Sequence, residues 1–238
     1  MKAALPDYRV RHSPKAKNLR LKVTREDGLV VVVPKGFDEK RIPALLKQKK
    51  VWIADALKRV GEAKRFLEPN PVIHLPEAVR LVALGETWDV MYRDDENHPG
   101  IRIKACDGKL TISGPDLKRD SVIRKLKDWL RVKVREALFP LAETLATKHG
   151  LKLGGLLVKS QRTRWASCSH RRNLSLNTKL LFLSPDLVRY VLIHELCHTV
   201  HMNHSAEFWR LVATHEPCYM VLDQALRQAW KTVPQWVF

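Results

Sequence analysis

His194-Glu195-Leu196-Cys197-His198, with His204 six residues further on, is the stretch from which the rest of the chain is read. On a helix, residues four apart lie on one face, one turn above the other. His194 and His198 therefore direct two imidazoles at one point. Glu195, offset by one position, can reach a water at that point without being a ligand. Two neutral imidazoles holding Zn²⁺ beside a glutamate general base is the chemistry for which zinc hydrolases use H-E-x-x-H.

Upstream, Ser184-Pro185-Asp186 is a helix start: a capping Ser, Pro at the first position and an acid in the first turn. Leu187, Val191, His194 and His198 follow one face from there. Downstream, Asn203 and Ser205 flank His204. Asn tolerates a left-handed, helix-ending conformation, and Ser can cap a further helix from Ala206. A single turn there brings His204 back as the third ligand. Glu207 and Glu216 compete for that place, since a glutamate on a following helix can also ligate zinc; His204 is preferred because its spacing needs only one turn. His201 and His215 are read as outer or surface residues, and Cys197 as pointing away from the two histidines. Cys168 as a nucleophile with a histidine base is a weaker alternative.

Before this helix, Asn173–Asn177 alternates as a strand with one wet face, and Gly155–Lys159 reads as another strand. In a zinc peptidase, a strand at a sheet edge beside the metal can take an extended peptide by strand addition, and Asn173–Asn177 is the candidate. Leu117 to Lys148 has helical spacing, with a stripe of Ile123, Leu126, Leu130, Val134, Leu138, Leu141 and Leu145. Pro140 inside it predicts a kink or a break. Arg124, Lys127, Arg131 and Arg135 share another face, which is either a solvated surface or a phosphate-contacting stripe.

The first half is β-rich. Leu19–Arg25 alternates, Asp27-Gly28 marks a turn, and Leu29–Val33 is a continuous apolar strand. Asp38 to Phe66 is helical in spacing, with Trp52 placed in the core. Pro69, Pro71 and Pro76 form the best linker candidate. Val79–Leu84, Thr87–Tyr92, Ile101–Ala105 and Leu110–Ser113 are short strands, the last two joined at Asp107-Gly108. Two regions are expected: 1–116, β-rich with one helix, and 117–238, carrying the histidines.

The 238 residues carry 43 basic and 25 acidic side chains, a net charge of +18. A field of that sign favours DNA or another polyanion as partner, and equally describes a solvated basic surface. Cys106, Cys168, Cys197 and Cys218 form no C-x-x-C pair and are expected as free thiols. No apolar run approaches a membrane span, and Met1–Pro6 lacks the apolar stretch of a signal peptide, so a cytoplasmic protein without membrane association is expected.

From Gln161 to Trp209 the segments QRTRWASCS, NLSLNTKLLFLSPDLVRYVLIHELCHTV and NHSAEFW resemble the YgjP-like metallopeptidase family, related to the SprT-like zinc proteases. RHSPKAKNLRLKV and VVVVPKGF resemble it more loosely, and Ala166 stands where the family usually has Gly. The resemblance implies His194, His198 and His204 as zinc ligands, Glu195 as catalytic acid/base, and a protein or peptide substrate. It also implies an α+β fold: a zincin-like core of small sheet, backing helix and HExxH helix, with the β-rich part before it. Arg164, Tyr190 and Tyr219 are candidates for stabilising the oxyanion. The rival reading is a nucleic-acid-binding protein with a structural or vestigial zinc site. A protease acting on DNA-associated proteins would combine the two.

Overall fold

The apolar run of residues 29–33 occupies the centre of a sheet, where a strand covered on both faces belongs. In the computed structural model, which describes residues 6–14, 16, 18–24, 27–50, 52–54, 56–57 and 74–238, the chain divides into two units, Met1–Val72 and Ile73–Phe238. The first unit holds β1 (Tyr8–His12), β2 (Arg20–Thr24) and β3 (Gly28–Val33) in the order β1-β3-β2. β1 runs parallel to β3, and β2 antiparallel to it. Helix α1 (Ile42–Gln48), with Pro43 in its first turn, packs Ile42 and Leu46 with Ile53 against Leu29, Val31 and Val33. Trp52 is 44% exposed and does not enter this core, contrary to its expected place; the adjacent Ile53 takes the inward position at 2%. Residues 58–66 of the expected helix, and Pro69 and Pro71, lie outside the described residues.

The second unit contains two sheets around one long helix. β4 (Ala78–Leu81), β5 (Glu86–Asp94), β6 (Arg102–Cys106) and β7 (Lys109–Gly114) form a sheet ordered β4-β5-β7-β6. The β6–β7 turn has positive φ at both Asp107 (47°) and Gly108 (71°), the geometry that Asp-Gly supplies to a two-residue hairpin. Helix α2 (Arg119–Lys148) buries Val122, Leu126, Leu130, Val134, Leu138, Ala142 and Ala146. This strict four-residue spacing advances about 40° per step around a helix of 3.6 residues per turn. The stripe therefore winds, and α2 meets the four-stranded sheet and then β8 (Gly155–Lys159) in turn. Because Val79, Leu81, Leu110 and Ile112 share one core with α2, the expected division at 116/117 falls inside this unit.

β8, β9 (Ala166–Cys168) and β10 (Asn173–Asn177) form the third sheet, ordered β8-β10-β9. The segment expected at an edge, β10, is central; β8 and β9 are the edge strands, and β9 is the one that packs against the histidine helix. Helices α3 (Pro185–Cys197), α4 (Ala206–His215) and α5 (Tyr219–Gln228) follow. Among the described residues no helix is long and apolar enough to cross a membrane.

Helix α2 runs through Pro140 as one continuous element, where a kink or a break was expected. Leu138 and Ala142 on either side are buried at 1% and 0%, and tertiary packing carries the helix past the missing N–H. Pro140 itself is exposed. Pro140→Ala is accordingly expected to stabilise the protein by about 1–3 kcal/mol, the interior-proline penalty less the lost restriction of the unfolded chain. A higher urea midpoint at unchanged m-value is the measurement that checks it.

Candidate metal centre

Helix α3 starts at Ser184, which has the extended backbone of an N-cap (φ −63°, ψ 153°) but makes no side-chain capping bond. Pro185 and Asp186 are left to define the first turn. Val188, Leu192, Ile193 and Leu196 bury its back. The helix ends immediately after the second histidine: His198 is the C-cap, and the Thr199 hydroxyl donates to Leu196 O at 2.7 Å. The chain then turns, and Ser205 caps α4 by accepting from Phe208 N–H at 3.5 Å.

That turn brings the third imidazole back. The ring nitrogens offered by His194, His198 and His204 all lie within 4.8 Å of one another, with His194 Nε2 and His204 Nε2 3.2 Å apart. His198 Nδ1–H donates to His201 O at 2.9 Å, which leaves Nε2 as the free lone pair. Phe208, fully buried, is the floor of the cluster. Its ring lies 4.4 Å from that of His198, stacked, and about 5 Å from those of His194 and His204. The sequence reading gave Phe208 no role; its position one turn beyond His204 was the available signal.

Burial pushes His194 down to about 4, with His198 and His204 adding to the shift, and burial also lowers His198. Burial thus favours the neutral form of these two imidazoles, the form that ligates a metal. Three imidazole nitrogen donors without thiolate or carboxylate suit a borderline divalent cation. Among the described residues this is the one group placed to hold a metal ion. The competing ligands are occupied elsewhere. Glu207 is exposed and pairs with Arg210 at 3.0 Å. Glu216, 3% exposed, is ion-paired with Arg189. His215 lies against His149, with ring centroids 4.5 Å apart, and Cys197 is buried.

Glu195 is 9% exposed beside the cluster. Burial pushes its carboxyl up to about 7, opposed by the Cys168 backbone N–H, which donates to it, and by the Arg164 guanidinium. A bound cation would oppose the shift further. The Cys168 thiol is pushed up to about 11 by burial and by Glu195, which makes it a poor nucleophile.

A cavity of about 440 Å³ takes in the three histidines and Glu195, walled by β9, Arg164, Tyr190 and Asp223. Tyr190 donates its hydroxyl to Asp223 at 3.2 Å, and Arg227 holds the same carboxylate through Nε and Nη2. Its proton is committed there. Tyr219 stacks on Trp209 and does not line the cavity. Arg164 is the candidate that keeps an open cation beside Glu195.

The loop bearing Arg164 is fixed from β10. Asn177, fully buried, donates its side-chain amide to Gln161 O and Arg164 O, both at 2.7 Å, and its backbone N–H to Trp165 O. Trp165 stacks on Trp230 with centroids 3.8 Å apart and planes 20° from parallel.

Residues 17–229 match the YgjP-like, metallopeptidase domain family. Among solved structures the chain is similar to the metallopeptidase zymogen abylysin of Pyrococcus abyssi, at 23% identity and a TM-score of 0.35, covering 37% of this chain and 90% of that one. No curated protein matches. The chain belongs to the YgjP-like metallopeptidase family.

Proposed function

We propose that the protein is a zinc-dependent metallopeptidase in which His194, His198 and His204 hold the ion and Glu195 is the acid/base. The observation that carries this reading is the convergence of three imidazoles beside a buried carboxylate in one cavity. A structural zinc site is closed by four protein ligands, whereas a catalytic one keeps a position open. The described residues supply three, which favours catalysis over a structural or vestigial site.

Zinc held there would supply Lewis acidity, polarising the scissile carbonyl and the attacking water. The chain's own groups do the rest. Glu195 takes the proton from the water and later delivers it to the leaving amine. The Cys168 N–H fixes the carboxylate's direction, and Arg164 offers positive charge where the carbonyl oxygen becomes negative. Trp165 and Ser169 direct their backbone bonds to β10. Ala166, between them, therefore presents its N–H and C=O to the open edge. An extended peptide would add to β9 at that residue, taking the role the sequence reading gave to Asn173–Asn177.

Glu195→Gln should keep one zinc per chain by elemental analysis while peptide hydrolysis falls by about 10²–10⁴-fold. Turnover within a few-fold of wild type would sink the mechanism. His204→Ala should lose zinc affinity by more than about a hundredfold in chelator competition. It should also lose the rise in melting temperature that zinc confers on the wild type, since only a native state that binds zinc is stabilised by it.

A further inference from the structure

The first unit carries 18 basic and 8 acidic side chains in residues 1–72, more than half of the excess charge in under a third of the chain. Its sheet sorts part of that charge. Register places Arg9, Val30 and Lys22 in one cross-strand row, and Arg11, Val32 and Arg20 in the next. Side chains in such rows share a face. Tyr8, Leu29 and Val23, then Val10, Val31 and Leu21, fall on the other face, the one α1 covers. The four cations are all exposed, yet Val30 and Val32 between them are only 7% and 9% exposed. Long aliphatic stems lying over the valines, with the charged heads in water, account for both facts.

Arg9 is paired with Asp27 at 2.7 Å. Among the described residues, Arg11, Arg20 and Lys22 have no acidic partner. Strand spacing and rise put the four Cα positions at the corners of a patch about 10 Å by 7 Å. Folding gains nothing from assembling like charges on one sheet face. We propose that this face of the first unit is a sequence-independent docking surface for the phosphate backbone of duplex DNA.

The chemistry of the face selects that partner. Among the described residues it offers no aromatic ring on which an unpaired base could stack, so a single strand gains nothing there beyond its charge. Its apolar residues are covered, so it has nothing to insert into a bilayer and no pocket for an anchoring side chain of a protein. Recognition rests on charge alone, and duplex DNA carries one charge per about 1.7 Å of axis. The inference does not depend on the peptidase reading.

The test is a salt series of full-chain binding to a 30-base-pair duplex by fluorescence anisotropy. Arg11→Gln/Arg20→Gln/Lys22→Gln should weaken binding tenfold or more near 0.1 M salt. It should also reduce the slope of log K against log salt by about 2.7, or 0.9 for each lost phosphate contact. The charge-matched variant Arg102→Gln/Lys104→Gln/Lys109→Gln, on β6 and β7, should leave both nearly unchanged. Equal losses in the two variants would mean diffuse attraction by net charge and overturn the proposal. So would no wild-type binding at 50 mM salt, or tighter binding to a single strand of equal length or to phosphatidylserine vesicles. Should the triple variant not fold, acetylation of Lys22 in the wild-type protein decides. Duplex should protect it at least fivefold by mass spectrometry; equal labelling with and without duplex would overturn the proposal.

Discussion

A buried carboxylate is the constraint around which the second unit is arranged. Glu195 cannot turn outward, because His194 and His198 on the same turn must reach the cavity while Leu196 and Cys197 are locked in the core. Its charge therefore needs partners brought to it, since burial without them disfavours the ionised form. The nearest is the backbone N–H of Cys168 on the edge strand. β9 must accordingly lie against α3, and everything that fixes β9 serves the carboxylate: its pairing with β10, and the Asn177 amide bound to two carbonyls of the preceding loop.

The histidines are ordered by a different means. Phe208 touches all three rings, and His198 is further tethered through Nδ1 to the carbonyl of His201. Side-chain freedom that a ligand would otherwise lose on binding metal is lost when the protein folds. The same packing excludes water from His194, which keeps its ring neutral. Hydrophobic contact, donor geometry and protonation state thus act in the same direction at one site.

What could be read in advance follows the range of the forces involved. The His194–His198 spacing, the Ser205 cap and the Asp107-Gly108 hairpin are local, decided by residues a few positions apart, and the residues concerned announce them. Strand neighbours are not local. Asn173–Asn177 alternates as an edge strand would, yet β8 and β9 pair on both of its sides. Trp52 and Ile53 compete for one inward position, and helical spacing alone cannot say which wins. Pro140 signals a kink or a break, and distant packing decides that the helix continues. The 116/117 boundary depends on the same range of forces: the Gly114-Pro115 turn is real punctuation, and the core runs through it from β7 into α2.

The two units also differ in how they handle charge. The second pairs some of its cations, as in Arg189 with Glu216 or Arg227 with Asp223, and leaves Arg164 open beside the histidine cavity. The first leaves Arg11, Arg20 and Lys22 facing water without an acidic partner among the described residues.

The stacking of Trp165 on Trp230 has an optical consequence. Two indoles with centroids 3.8 Å apart and planes 20° from parallel exchange excitation, so their strong far-ultraviolet transitions couple into a circular-dichroism couplet. One member of the pair immediately precedes the strand that contacts Glu195, and the other lies in the helical turn Ala229–Thr232. Any loosening of the cavity wall would separate the rings and dissolve the couplet. The protein thus carries, in its own circular dichroism, a gauge of whether this edge strand is in place.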